Sequence, residues 1–325
     1  MAKAILILAE HLGGTLSGIT HELLGAGRRL ADAQQAPLHA ALFGDGVEQM
    51  ATQMSLADKV WVIPGLALDA LTAGDAAVVL QRLAAQQGAG LILVGGTNLA
   101  MGIGSTLSLK MDRPFISFCR NLRVEEGTVL VTSQLFGGKI LSEVALPDNE
   151  GIVGVYPGAF PAEPGTGRQS PSVEPIEPVS ATPSVTFRRF IEPETGDVDI
   201  TKQRVLVAVG RGMQSEDNVV LAGELAEALG GAVCASRPII DQGWLPLSRQ
   251  VGKSGMSVNP GLYVALGISG APEHVEGMQG SQLIVAINTD AQAPIFGVAQ
   301  YGVCADALEV LPLLIEKVKA GKGAA

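Results

Sequence analysis

The chain is poor in the residues that mark several functional classes. Its three cysteines, Cys119, Cys234 and Cys304, lie far apart with no Cys-x-x-Cys spacing. That argues against both a disulfide framework and a thiolate zinc site, and all three are expected to be reduced, buried packing residues. Aromatic residues make up only 4% of the chain. Positive charge is also scarce: 22 Lys and Arg face 32 Asp and Glu, a net charge of −10. Nucleic acid and anionic lipid would be repelled by that balance. No apolar run approaches the ~20 residues that cross a bilayer, so no transmembrane segment is expected. The opening MAKAILILAEH places Glu10 directly after a strand-length apolar run, unlike a secretion signal. The expectation is an acidic cytoplasmic protein. His11, His21 and His39 have no carboxylate or cysteine at ligand spacing, so no metal site is expected.

What is present is apolar and small: 47% hydrophobic residues and 41 glycines in 325 residues. Single cores stop growing near ~250–300 residues, so two domains are expected. Strand-like runs (AILILA, PLHAALFG, KVWVIPG, LILVGGT) alternate with helix-like ones (GITHELLGAGRRLADAQQA, LDALTAGDAAVVLQRLAAQQ). That alternation reads as βαβ units and a parallel sheet. After Met111 the β-rich runs are broken by Glu-Gly and Gly-Gly, which predicts an antiparallel extension of this α/β domain, placed at 1–155. Pro157, Pro161, Pro164, Pro171, Pro175, Pro178 and Pro183 crowd the next segment. Prolines remove ladder donors and hold the chain extended, so 156–195 reads as a semi-rigid linker with a connecting strand. A second α/β alternation over 196–325 predicts a parallel-sheet domain.

The second domain carries the suggestive elbows. VAVGRG, VCASRP, ALGISG and VAINTD are strands that end in small or polar residues, and in open α/β sheets ligands bind beyond the carboxyl ends of the strands. In ALGISGAPEH a Gly-rich elbow leads into a helix start, which leaves backbone N–H groups free to meet an anion. Arg211 and Arg237 stand at strand ends, where a guanidinium can fork onto phosphate or lie against a delocalised ring. His274 falls in the first turn after GISG. Asn288 and Asp306 close apolar runs and can cap helices or hold a ribose or adenine. VGKSG is not a Walker loop, because Leu247 stands where the first glycine belongs. GISGA is not the Gly-x-Ser-x-Gly elbow of a serine hydrolase. No Gly-x-Gly-x-x-Gly with a downstream acid supports a nicotinamide enzyme.

The set ASRPIIDQGW, QVGKSG, LYVALGISGAPEHVEGM and IVAINTDAQAPIFGVAQYGVCAD, with VGRGM before it, resembles the FAD-binding domain of the alpha subunit of electron-transfer flavoproteins. ILAEHLGGTLSGITHELLGAGRRLAD and LFGGKILSEV extend the likeness over nearly the whole chain. The resemblance implies an adenine-nucleotide-hydrolase-like α/β domain first. A parallel-sheet FAD domain of the deoxyhypusine-synthase-like nucleotide-binding fold then follows. It implies an electron carrier rather than a stand-alone enzyme, one that pairs with a beta subunit and makes transient contacts with flavin dehydrogenases and a quinone reductase or other acceptor. A bifurcating subunit, with a second FAD on the beta chain, and a redox-silent nucleotide-binding scaffold are the alternatives.

By the same resemblance Arg237 lies against the isoalloxazine ring, Ser254 bonds near its reactive N5, and His274 approaches its pyrimidine edge. Arg211, Ser236, Ser269, Asn288 and Asp306 match positions that hold the pyrophosphate, ribityl chain and adenosine. The two loops Val251, Gly252, Lys253, Ser254 and Ser269, Gly270, Ala271, Pro272, Glu273, His274 complete the implied FAD site. Lys253 departs from the family's VGQTG loop. It raises the flavin's potential if it faces the ring and has no such effect if it faces solvent.

Overall fold

A computed structural model describes residues 3–65, 67–163, 170–176, 185–188 and 197–323. The chain divides into two compact units, 1–189 and 190–325. The boundary expected near residue 195, and Pro164, Pro178 and Pro183 of the Pro-rich stretch, lie outside the described residues.

The first unit opens with β1 (Ala4–Ala9), a run buried at every position, as a strand covered on both faces of a parallel sheet should be. A small ribbon, β2 (His11–Leu12) and β3 (Thr15–Leu16), leads into α1 (Gly18–Gln34). Then come β4 (Leu38–Phe43), α2 (Glu48–Thr52), β5 (Lys59–Ile63), α3 (Ala73–Gln87), β6 (Ala89–Gly95) and α4 (Ile103–Met111). Sequence punctuation sets the ends of α3. The Thr72 side chain accepts from the Asp75 N–H at the start, and Gly88, at φ 60°, closes the last turn, a conformation that glycine adopts without steric cost. The unit continues with β7 (Phe115–Glu125), β8 (Thr128–Leu135), β9 (Ile140–Ala145), β10 (Gly151–Val155) and β11 (Ser172–Pro175).

The nine strands form one sheet in the order β11-β5-β4-β1-β6-β10-β7-β8-β9. Pairing is parallel from β11 to β7 and antiparallel from β7 through β9, so a parallel sheet with an antiparallel extension is what the chain builds. Alternation along β1 separates two cores. Ile5 and Ile7 pack with Leu23 and Leu30 of α1, and Leu6 and Leu8 with Leu80 and Leu83 of α3. Fully burying each such side chain stabilises the unit by ~1.5–3 kcal/mol. Part of the Pro-rich stretch belongs to this sheet. β11 adds beside β5, and Lys59 Nζ lies 2.8 Å from Glu174 Oε1. The Glu22 carboxylate of α1 accepts the Gly158 N–H at 2.9–3.0 Å and the Phe160 N–H at 3.3 Å.

Glu10, just past β1, is 1% exposed. Its Oε2 accepts the Thr97 hydroxyl at 2.8 Å, and Oε1 has no partner among the described residues. Burial pushes this carboxyl up to about 7, and only the Thr97 bond works the other way.

The second unit runs β12 (Val205–Val209), α5 (Asp217–Leu229), β13 (Ala232–Ala235), α6 (Arg237–Asp241), β14 (Leu262–Leu266), α7 (Pro272–Glu276), β15 (Ile284–Asn288), β16 (Tyr301–Cys304) and α8 (Ala307–Gly323). Its five strands are all parallel, in the order β13-β12-β14-β15-β16. Val207 and Val209 face α5 and α8, whereas Leu206, Ala208, Tyr263 and Ala265 face the opposite side with Met278 and Ile295. Cys119 and Cys234 are buried, and burial holds both thiols protonated, at about 12. Cys304 corrects the expectation of three buried cysteines: it is exposed, because β16 is the edge of the sheet. Among the described residues no helix is long and apolar enough to cross a membrane, and no cluster of His, Cys, Asp and Glu has the makings of a metal site.

Candidate functional site

The chain leaves β12 to form α5 and β13 on one side, then returns to lay β14 on the other. The order reverses between β12 and β14, and a crevice opens beyond their carboxyl ends at such a point. Three glycines let the two elbows touch backbone to backbone. Gly210 N–H donates to the Leu266 carbonyl at 2.9 Å and Gly212 N–H to the Gly267 carbonyl at 3.1 Å. A Cβ on Gly210 would stand 2.4 Å from the Gly267 carbonyl oxygen. One on Gly212 would stand 2.7 Å from the Gly267 Cα, and one on Gly267, at φ +61°, 2.6 Å from the Gly212 Cα.

Beyond these glycines lies a cleft of about 720 Å³, within the ~300–1,000 Å³ usual for small-molecule and cofactor sites. All four strand-end elbows reach it. Arg211 follows β12, Ser236 and Arg237 follow β13, Ser269, Ala271, Glu273 and His274 follow β14, and Asn288 is the last residue of β15. The loop Val251, Gly252, Lys253 and Ser254 forms another wall. It is held by the Lys253 N–H donating to the Glu273 carbonyl at 2.8 Å, and a Cβ at Gly252, φ +138°, would meet that carbonyl oxygen at 2.9 Å.

Three residues of the predicted set stand off the wall. Gly270, at φ +85°, packs its backbone on the following segment, where a Cβ would come within 2.2 Å of the Ile295 nitrogen. Pro272 starts α7. Asp306 caps α8, its Oδ1 accepting the Leu308 N–H at 2.9 Å. The helix after GISG is five residues long, so its dipole adds little to the anion-binding capacity of the elbow.

Sequence reasoning missed Gln250, Asp290, Ala293 and Pro294, which also line the cleft. Gln250 is buried, and its Nε2 donates to the Ser254 Oγ at 3.0 Å. With one lone pair thus engaged, the Ser254 O–H is left to donate elsewhere. Asp290 closes a polar turn in which its N–H donates to Asn288 Oδ1 at 2.9 Å, and Asn288 Nδ2 donates to the Ile268 carbonyl at 2.8 Å. All four lie in QVGKSG or IVAINTDAQAPIFG, stretches that carry the family resemblance, and that was the signal that could have found them.

Two cations of the wall, Arg237 and Lys253, each face a carboxylate. Arg237 is 68% exposed at the rim, with Nε 3.4 Å from Asp241 Oδ2; an exposed ion pair of this kind holds a side chain weakly. Lys253 Nζ sits 3.9 Å from Glu276 Oε2, whose side chain is 7% exposed. His274 is 6% exposed and lowered to about 4, chiefly by burial, with the Val251 backbone opposing that shift without completing a hydrogen bond to Nδ1. The imidazole is therefore neutral at pH 7. Its Nε2 lies 2.9 Å from the phenol oxygen of fully buried Tyr263. Such a cleft, with cations at its rim, hydroxyl and imidazole donors on its walls and glycine backbone on its floor, suits a long anionic ligand that carries a flat polar ring.

Two family models match the chain: the electron transfer flavoprotein domain over residues 5–182 and the electron transfer flavoprotein FAD-binding domain over 199–279. The second match spans Arg211 to His274; Asn288, Asp290 and the Ala293–Pro294 wall lie past its end. Curated relatives align along nearly the whole chain. The FixB protein of Clostridium saccharobutylicum is 36% identical, covering 98% of this chain and 96% of its own. The electron transfer flavoprotein alpha subunit of Megasphaera elsdenii is 35% identical (99% and 98%), and that of Mycobacterium leprae 36% (99% and 100%).

Proposed function

The chain belongs to the electron transfer flavoprotein family as an alpha subunit with an FAD-binding domain, and from that premise we propose that FAD lies in the cleft beyond β12 and β14. We further propose that the chain carries electrons as one half of a heterodimer with a beta subunit, between flavin dehydrogenases and a quinone reductase or other acceptor. The likeness of the first unit to adenine-nucleotide-hydrolase-type folds, and of the second to deoxyhypusine-synthase-like ones, belongs to the same reading.

The residues fit the cofactor on three counts. The floor is glycine backbone that a Cβ would fill, His274 Nδ1 is a buried polar atom without a partner among the described residues, and the donors are cationic or hydroxyl rather than acidic at most positions. FAD, when bound, supplies the uptake and release of electrons. The chain's own residues bind, orient and tune. Arg211 and the Gly210–Gly212 elbow offer a cation and close backbone approach for a pyrophosphate. Arg237 sets a permanent positive charge at the rim, where negative charge accumulating on a ring would be stabilised. The Ser254 hydroxyl, steered by Gln250, and the neutral imidazole of His274 add uncharged donors.

The observation that carries this reading is the convergence of four strand-end elbows on one cleft at the switch point. Co-expression and co-purification with a beta subunit of the family, followed by visible absorbance and analysis of released nucleotide, tests it. One FAD per dimer supports a simple carrier with the site on this chain, two FAD point to bifurcation, and no flavin overturns the proposal.

A further inference from the structure

Asp197 opens the described part of the second unit, and its carboxylate is bound to the segment that leads into the cleft wall. Arg249 Nε donates to Asp197 Oδ1 at 2.6 Å and Nη2 reaches the same oxygen, while the Ser248 hydroxyl donates to Oδ2. The other arm of the guanidinium, Nη1, donates to the Val233 carbonyl of β13 at 2.7 Å. The two side chains are 23% and 16% exposed, whereas each other ion pair described in this unit has a partner more than half exposed. The screening that makes exposed pairs weak is reduced accordingly. The Arg249 hydrogen bond holds the Asp197 carboxyl down to about 2, so the pair is charged at neutral pH.

Arg249 ends the single turn Leu247–Arg249, and Gln250 comes next. Gln250 bridges to Ala235 at the end of β13, and the Val251 N–H donates to the Ala235 carbonyl at 2.9 Å. The buried Gln250 side chain donates to Ser254 Oγ at 3.0 Å, and Ser254 is exposed on the cleft wall. A continuous set of contacts thus runs from Asp197 through Arg249 and Gln250 to a hydroxyl that faces the cleft. Taking away the carboxylate leaves a largely buried cation without its counter-charge, which is costly. The guanidinium then turns out toward water, and the backbone of Gln250 goes with it.

We propose that Asp197 is a positioning residue for the cofactor cleft: through Arg249 it fixes Gln250, and through Gln250 it fixes the direction of the Ser254 hydroxyl. The point where the chain enters the second unit and one wall of the cleft therefore hold or loosen together. Asp197 does not line the cleft; it acts through the two residues between. The inference rests on the proposed function only for the identity of the ligand. The fastening itself belongs to the chain.

The test uses the full-length chain and two readouts. Without FAD, trypsin cleavage after Arg249 and Lys253, located by mass spectrometry, reports how firmly the segment is held. Asp197→Asn is expected to speed both cuts about tenfold, the effect of losing one charge-assisted hydrogen bond. Asp199→Asn makes the same charge change two residues along, at a carboxylate that meets Thr201 and Lys202 at the surface, and is expected to leave both cuts unchanged. With FAD, in the complex with a beta subunit of the family, Asp197→Asn is expected to weaken binding about tenfold. In a Ser254→Ala background that loss should shrink below about threefold, because no hydroxyl remains to be misdirected. A merely structural role would give the same loss in both backgrounds. Arg249→Lys keeps the charge but cannot fork onto Asp197 and Val233 together; it is expected to repeat both results and decides the matter if Asp197→Asn does not fold. Unchanged cleavage in Asp197→Asn or Arg249→Lys, faster cleavage in Asp199→Asn, or an FAD loss indifferent to the Ser254 hydroxyl would overturn the proposal. Failure of the wild type to bind FAD would reject the proposed function and leave the fastening to stand or fall on the cleavage rates.

Discussion

Glu10 makes the first unit's stability depend on pH, and the structure gives the size of the effect. The carboxyl lies past β1 with one oxygen on Thr97 and the other without a partner among the described residues, and burial raises it from 4.5 to about 7. At ~1.4 kcal/mol for each tenfold change in proton affinity, ionising it inside the fold costs roughly 3 kcal/mol, a sizeable share of the ~5–15 kcal/mol that holds a domain together. The sign follows from the direction of the shift. Below pH 4.5 the group is protonated folded or unfolded and nothing is lost. As pH climbs through about 7 the unfolded chain releases its proton first, and stability falls by that amount. Glu10→Gln keeps an acceptor for Thr97 and cannot ionise, so its profile over the same range should be flat apart from other titrations. Urea unfolding between pH 5 and 8.5 measures this. Of the two tryptophans, Trp61 reports on the first unit once Trp244 is replaced by Phe. A wild-type profile as flat as that of Glu10→Gln, or equal slopes in both, would refute the burial argument.

Replacing Arg237 with Ala removes the permanent charge at the rim and should lower the bound flavin's reduction potential by about 30 mV for the two-electron couple, the equivalent of ~1.4 kcal/mol; an unchanged potential in a folded, FAD-loaded variant would place the guanidinium away from the ring. Lys253→Gln should move the potential less than Arg237→Ala, because the Glu276 carboxylate 3.9 Å from Lys253 is buried and answers its charge with little solvent screening, whereas Asp241 beside Arg237 is 62% exposed; the same potentiometric titration ranks the two. Gly270→Ala drives a methyl to within 2.2 Å of the Ile295 nitrogen at a φ of +85°. It should abolish FAD retention on gel filtration while the first unit, monitored by Trp61, unfolds as before.

Much of the fold was legible because its punctuation is local. β1, β4, β5 and β6 announce themselves as short apolar runs, and the stops that end them are Gly, Pro or a polar residue next in sequence. α4 and β10 escaped notice for the opposite reason. Ile103–Met111 is built from Gly, Ser and Thr as much as from good helix formers, and GIVGV offers only five residues with two glycines. In the second unit the elbows were readable, since a strand that ends in Gly-Arg, Ser-Arg or Asn exposes its own chemistry. Gln250 and Tyr263 were not. Gln250 becomes a site residue only through Ser254, four positions later, and Tyr263 sits in an unbroken buried strand where its phenol looks like packing. Its partner, His274, is eleven residues away, and no periodicity joins a strand to a one-turn helix across a glycine elbow. The exposure of Cys304 was equally hidden, because a sequence does not say which strand will be the edge.

The interlocked glycines of the cleft floor have a genetic consequence. Any single-base change in a glycine codon that alters the amino acid adds at least one carbon to the backbone. At Gly210, Gly212 and Gly267 that carbon has no room, since 2.4–2.7 Å separates it from the facing main chain. These three codons form a concentrated target for loss-of-function mutations, and a randomised library should recover only glycine there. Lys253 and Ser254 hang from the rim with open space beside them, so inherited variation in this protein's redox behaviour is channelled to the rim, while the floor can only be kept or lost.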